Sequence, residues 1–137
     1  NVLRAVQGFC RGRVIAVFGC GGDRAKTKRP KMGKAAAALS DFLVVTSDNP
    51  RSEDPQAIID DILAGLADSK TPYTVVANRV EAIRWAIHNA KSGDTILLAG
   101  KGHETYQVLR DGIVHLDERE VVAEALAQMA PAASADE

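Results

Sequence analysis

The chain has 137 residues, 46% of them hydrophobic, which suits one well-buried core and is too short for two domains of ordinary size. Lys and Arg number 17 against 18 Asp and Glu, a formal charge of -1, so no global field recruits nucleic acid or an anionic membrane, and 4% aromatics leave few base-stacking platforms. No apolar run approaches the ~20 residues of a membrane span, no signal-peptide pattern is present, and Cys10 and Cys20 are too few for a disulfide framework, so a reducing, cytoplasmic setting is expected.

Asn1 to Phe9 reads as the remainder of an amphipathic helix (Val2, Leu3, Val6), which suggests a piece of something larger. Arg13 to Phe18 is a continuous β-branched and apolar run, the pattern of a central parallel strand covered on both faces. A glycine-rich, basic loop follows from Gly19 to Arg29. Pro30 then fits the first turn of a helix reaching Leu39. Phe42 to Thr46 reads as the second strand. The second helix, Asp54 to Leu66, carries Ile58, Ile59, Ile62, Leu63 and Leu66 on one stripe, with Asp54 as cap and Pro55 at its first position.

Tyr73 to Val76 is a short third strand. Asn78 and Glu81 form a capping-box pattern ahead of Val80, Ile83, Ile87 and Ala90. Gly93 ends that helix, and Thr95 to Ala99 is the fourth strand. Tyr106 to Leu109 and Ile113 to Leu116 flank Asp111-Gly112, a hairpin turn signal. Asp117 and Glu120 make a second capping-box pattern before a last helix, Val121 to Met129. Four strand–helix alternations predict one α/β domain over 1–130, doubly wound around a mostly parallel, Rossmann-like sheet with a C-terminal β-hairpin. Residues 131–137 are small and acidic and are expected to form a disordered tail.

In such a fold every strand-to-helix loop emerges at one edge, where open α/β sheets bind ligands. Three of these loops carry dense polar chemistry: Gly21 to Arg29, Asp48 to Arg51, and Gly100 to Glu104. The connection at Ala77-Asn78 is short and plain. Pro50 stiffens the second loop, and Arg51 offers a planar fork suited to a carboxylate or phosphate. An ordinary strand-to-helix connection accounts for Asp54 and Pro55 but not for Asp48, Asn49 and Arg51. The first loop fails the phosphate-loop pattern, since Cys20 and Ala25 stand where glycines belong. Its cations Arg24, Lys26, Lys28 and Arg29 favour an anionic ligand, although a solvated basic loop explains Lys28 and Arg29 nearly as well. In the third loop, Glu104 can accept from an ammonium group and Gly100 lets a ligand approach. His103 stands alone, as structural histidines do, without a base-and-orienter pair. No nucleophile triad and no metal-ligand spacing appears, so neither catalytic nor metal residues are expected.

Together, Gly19-Cys20-Gly21-Gly22-Asp23-Arg24, Thr46 to Pro55 (Thr-Ser-Asp-Asn-Pro-Arg-Ser-Glu-Asp-Pro) and Ala99 to Gln107 (Ala-Gly-Lys-Gly-His-Glu-Thr-Tyr-Gln) resemble the Mur ligases, from Asn1 to about Met129 and in the same order. The resemblance is to their C-terminal domain, in the branch that adds the third residue of the peptidoglycan stem peptide. It implies an enzyme that uses ATP and Mg2+ to join an amino acid to UDP-MurNAc-L-Ala-D-Glu. The substrate carboxylate attacks the γ-phosphate of ATP, and the incoming amine attacks the resulting acyl phosphate. The Asp-Asn-Pro-Arg spelling is similar to that of the meso-diaminopimelate-adding type. By resemblance, Arg24, Asp48, Asn49, Pro50, Arg51, Gly100 and Glu104 bind that amino acid.

ATP, magnesium and the UDP-sugar would be held mainly by upstream domains, so the fragment is expected to fold yet be inactive alone. Ala25 departs from the family pattern, which has Asp there. The rival reading is a stand-alone, non-catalytic module that binds an amino acid or anion with the same three loops.

Overall fold

The computed structural model describes residues 11–99 and 104–135, with side chains as far as Gln128. Strands β1 (Val14–Phe18), β2 (Phe42–Val45), β3 (Tyr73–Val75) and β4 (Thr95–Leu98) form one parallel sheet in the order β3-β2-β1-β4. Helices α1 (Lys28–Ala38), α2 (Pro55–Ala64) and α3 (Arg79–Asn89) make the crossovers. The strands β5 (Tyr106–Leu109) and β6 (Gly112–His115) pair separately as an antiparallel hairpin, and α4 (Glu118–Ala135) closes the chain. The doubly wound α/β expectation with a C-terminal hairpin is borne out. The N-terminal amphipathic helix expected over Asn1 to Phe9 lies outside the described residues.

β1 is fully buried because helices cover both faces of the sheet. Its alternate side chains Ala16 and Phe18 face a cluster with Ala36, Ile58, Ile59 and Ile62 from α1 and α2. Ile15 and Val17 face the opposite cluster with Ala82, Ile83 and Ala86 from α3 and Val121 and Ala125 from α4. The chain winds from β1 outward to β3, then returns across the sheet to β4 on the far side of β1. The winding direction therefore reverses between β1 and β4. The crevice beyond the carboxyl ends of these strands is the topological switch point where such sheets take ligands.

The helix caps follow the sequence with one exception. Asp54 accepts from the Gln56 N–H at 3.1 Å, with Pro55 opening α2, and Asn78 accepts from the Glu81 N–H at 3.0 Å. Asp117 caps in the same way, accepting from the Arg119 N–H at 3.0 Å, but Glu120, the expected return arm of the box, turns to His115. The hairpin turn also shifts by one residue. Leu109 pairs with Gly112, so the loop is Arg110-Asp111, and Gly112 takes the positive φ of 143° as the first residue of β6. Finally, α4 includes Pro131 and is described as far as Ala135. Proline removes one backbone donor, but Ala130, Ala132, Ala133 and Ala135 have the highest helix propensity and carry the backbone onward.

Candidate functional site

The loop after β1 and the loop after β2 lie flat against each other at the carboxyl edge. The Gly22 N–H donates to the Asn49 carbonyl at 2.7 Å. A β-carbon on Gly22 would stand 1.7 Å from the Pro50 carbonyl oxygen, so only glycine permits this approach. The glycines of the first loop thus admit the second loop. Asp23 and Arg51 both adopt left-handed backbone, with φ of 55° and 54°, a conformation that costs a non-glycine residue roughly 1–2 kcal/mol. Cross-links hold them there: Ser52 Oγ donates to Asp23 at 2.5 Å, and the Asp23 N–H donates to Glu53 at 2.5 Å.

Beneath this contact lies Arg29, 2% exposed. Its guanidinium donates to Glu53 at 2.7 and 3.1 Å, to Asp61 at 2.9 Å and to the Gly21 carbonyl at 3.1 Å. The sequence offers a solvated loop cation here; the structure makes Arg29 the buried tie between α1, α2 and the glycine loop. Glu53, absent from the expected site, is its partner. The Arg29 hydrogen bonds, and after them the Asp23 N–H, hold the Glu53 carboxyl at about 2 against an ordinary 4.5. Its folded value is depressed, so its stabilising contribution is complete above pH 4.5 and disappears as pH falls toward 2. Acid titration followed by circular dichroism should show the wild type losing stability through that window and Glu53→Gln giving a flatter profile. Parallel profiles would contradict this.

The hairpin is fastened to the Asp48–Arg51 loop by strand-like bonds. Asn49 Oδ1 accepts from the Val108 N–H at 2.9 Å, and the Arg51 N–H donates to the Val108 carbonyl at 3.1 Å. Gln107 Nε2 donates to the Asp48 carbonyl at 2.6 Å, and Asn49 Nδ2 donates to Glu104 Oε1 at 3.1 Å. Asn49 is 4% exposed and engages the hairpin with its Oδ1 and Glu104, just before the hairpin, with its Nδ2. Asn49→Ala leaves the half-buried Val108 donor without its acceptor, a loss of about 1 kcal/mol. Hydrogen exchange should report it as faster exchange at the Val108 amide, with the β1 amides unaffected; unchanged Val108 protection would refute the bond.

Around this frame the expected residues fall into two groups. Arg51 Nη1 donates to the Gly22 carbonyl at 2.9 Å and to the Asn49 carbonyl at 3.4 Å; among the described residues its Nε and Nη2 have no acceptor. A β-carbon on Gly21 would lie 2.9 Å from Arg51 Nη1 and 3.6 Å from Arg24 Cγ, so both cations flank that glycine. Glu104 and Asp48 are half-buried: the Glu104 carboxylate accepts from Asn49, and the Asp48 backbone carbonyl accepts from Gln107. Pro50 is buried against Gly22. Gly100 and His103 lie outside the described residues.

Ala25 lines a cavity of about 400 Å3 with Arg24, Lys28 and Arg29. A carboxylate at position 25 would stand among three cations, and here open space replaces it. Cys20 sits at the cavity's inner wall, its thiol pushed up to about 11 by burial, which leaves it inert as a nucleophile.

The family model described as "Mur ligase, glutamate ligase domain" matches residues 1–102. The chain belongs to the Mur ligase family. Among relatives of this Mur ligase chain is a protein of Trichormus variabilis named UDP-N-acetylmuramoyl-L-alanyl-D-glutamate--2,6-diaminopimelate ligase. It is 58% identical over 128 residues, which are 93% of this chain and 26% of that protein. Proteins of the same name from Gloeobacter violaceus and, with the suffix 1, Clostridium acetobutylicum are 56% and 54% identical, covering 93% and 94% of this chain and 26% of each relative. A solved structure of a ligase so named superposes with a TM-score of 0.89 at 38% identity, over 93% of this chain and 26% of that one. The Mur ligase chain therefore spans about a quarter of the length of these relatives.

Arg79 is the residue that sequence reasoning passed over in this Mur ligase chain, at a connection judged plain. It opens α3, is 1% exposed, and joins three elements. Its signal was positional. Arg29 and Arg79 both sit in the first turn of a helix, where the macrodipole disfavours a cation, so each needs acceptors elsewhere. Among the described residues no three His, Cys, Asp or Glu side chains converge as a metal site would require. No described helix is long and apolar enough to cross a membrane.

Proposed function

We propose that this chain is the amino-acid-binding part of an ATP-dependent ligase that joins meso-diaminopimelate to UDP-MurNAc-L-Ala-D-Glu in the cytoplasm, a step of peptidoglycan synthesis. The observation that carries this reading is the bipolar arrangement around Asn49. Arg51 Nη1 lies on its backbone carbonyl and Glu104 on its side-chain amide, with Arg24 across Gly21. Diaminopimelate bears two carboxylates and two ammonium groups, so it needs cations and acceptors facing each other at a fixed separation. Arg51 presents Nε and Nη2 to the distal carboxylate, Arg24 adds charge, and Glu104 and Asp48 receive ammonium groups. Asn49 and Pro50 hold the loop in shape, and Gly100 completes the approach on the third loop. Lysine lacks the distal carboxylate and would leave the Arg51 fork unserved.

The residues present do not fit a nucleotide. The glycine loop that a triphosphate would need is filled by Asn49 and Pro50, with the Gly22 N–H already donated. ATP and Mg2+ are therefore assigned to the rest of the full-length ligase. What this chain contributes is to bind the amino acid, orient its amine and, on closing against the rest of the enzyme, exclude water. The rival reading, a stand-alone binding module, has less support, since the relatives named above are ligases of which this chain matches 26%.

The test supplies the full-length protein with ATP, Mg2+, UDP-MurNAc-L-Ala-D-Glu and either meso-diaminopimelate or lysine, with mass spectrometry of the product. Ligation of diaminopimelate by the full-length protein, and none by the 137-residue chain alone, is the expected result. ATP-dependent ligation by the chain alone, or no ligation of diaminopimelate by the whole, would overturn it.

A further inference from the structure

Arg79 has a buried guanidinium that the proposed function leaves unused. Each of its three nitrogens serves a different element. Nη1 donates to the Ser47 carbonyl at 3.1 Å, immediately before Asp48-Asn49-Pro50-Arg51. Nη2 donates to the Ala99 carbonyl at 2.8 Å, at the end of β4 where the chain leaves for Glu104. Nε donates to Glu118 Oε2 at 2.7 Å, in the first turn of α4. Ser47 and Ala99 follow β2 and β4, strands that are not neighbours, because β1 runs between them. No ladder bond connects their ends. The guanidinium does.

We propose that Arg79 is a positioning residue for the amino-acid site, holding Ser47, at the root of the Asp48–Arg51 loop, against Ala99 at the end of β4, while Asn49 makes the direct bond to Glu104. This inference rests on the function proposed above. The guanidinium is planar, so its two Nη atoms hold the Ser47 and Ala99 carbonyls at one spacing, and Glu118 fixes the plane of the fork. A diamino acid zwitterion is recognised by charges at both ends, so its affinity depends on that spacing. ATP and the UDP-linked substrate, held elsewhere, do not depend on it. A lysine at this position keeps the charge but offers a single point in place of the fork and cannot span both carbonyls.

The experiment compares wild type, Arg79→Lys and Arg79→Met in the full-length ligase, recording kcat, KM for each of the three substrates, and the melting temperature. Misplacing a binding group by about 1 Å can cost on the order of 100-fold. Arg79→Lys should therefore raise KM for meso-diaminopimelate by roughly 10- to 100-fold while KM for ATP and for UDP-MurNAc-L-Ala-D-Glu stay within about twofold. Arg79→Met should do more, and if it fails to fold, the lysine variant still decides. A fall in melting temperature with all three KM values unchanged, or with all three raised together, overturns the inference and leaves the proposed function standing. A wild-type protein that ligates no diaminopimelate overturns both.

Discussion

Arg51→Ala in the full-length protein is expected to lower kcat/KM for meso-diaminopimelate by tens to thousands of fold and to change lysine use far less. Truncating one member of a desolvated, hydrogen-bonded charge pair typically costs about 2–5 kcal/mol, and each 1.4 kcal/mol is about tenfold. The backbone gives a built-in control. Arg51 holds a φ of 54°, which alanine tolerates no better than arginine, so strain is nearly equal in the two proteins. The backbone N–H bond to Val108 is also kept. What disappears is the fork and its contact with the Gly22 carbonyl. Equal losses for both amino acids would mean that Arg51 serves only to shape the loop. Arg51→Gly sharpens the comparison, since glycine relieves the backbone while still lacking the fork.

Arg29→Met should produce the largest loss of stability among single substitutions at this edge. It removes a guanidinium that is 2% exposed and strands Glu53 and Asp61 around an apolar side chain. Breaking a buried ion pair from one side costs about 3–5 kcal/mol, and the lower end applies here because Asp61, at 39% exposure, can rehydrate. With a urea dependence of about 1.5 kcal/mol per molar, the unfolding midpoint should fall by ~2 M. A shift below ~0.5 M would show that the pair contributes no more than a surface bridge does. Pairing Arg29→Met with Glu53→Gln should recover part of the loss, since fewer charges are then left uncompensated.

The sheet was legible because its signals are local. Val14 to Phe18 reads as a buried strand by composition alone, and the Ile58, Ile59, Ile62 stripe predicts a helix face without knowledge of what it covers. The three loops could be placed at one edge because parallel topology puts every strand's carboxyl end there. What each polar residue touches across that edge was not legible. Asn49 has the composition of a ligand-binding amide, yet its side chain is spent on Val108 of the hairpin and on Glu104, and nothing within ten residues of it says so. The first loop reads as glycine-rich from sequence, but only the structure shows that Gly22 makes room for Pro50. Arg29 and Arg79 were misjudged for a related reason. Charged residues are rarely buried, and the carboxylates that make burial tolerable are supplied from 24 to 39 positions away.

The placement of β1 between β2 and β4 has a consequence during synthesis on the ribosome. Ile15 meets its β2 partner Phe42 soon after Phe42 is made, but Val14 pairs with Thr95, 81 positions along the chain, the same separation as the Arg13 to Asp94 bond. At roughly 5–20 residues per second, the β4 side of β1 waits about 4–16 seconds for its partner. During that interval Val-Ile-Ala-Val-Phe presents an unpaired edge with no charge and no proline, the kind of segment that nascent chains use to find one another. The strand that anchors the finished core is thus the strand most in need of shelter while the chain is being made.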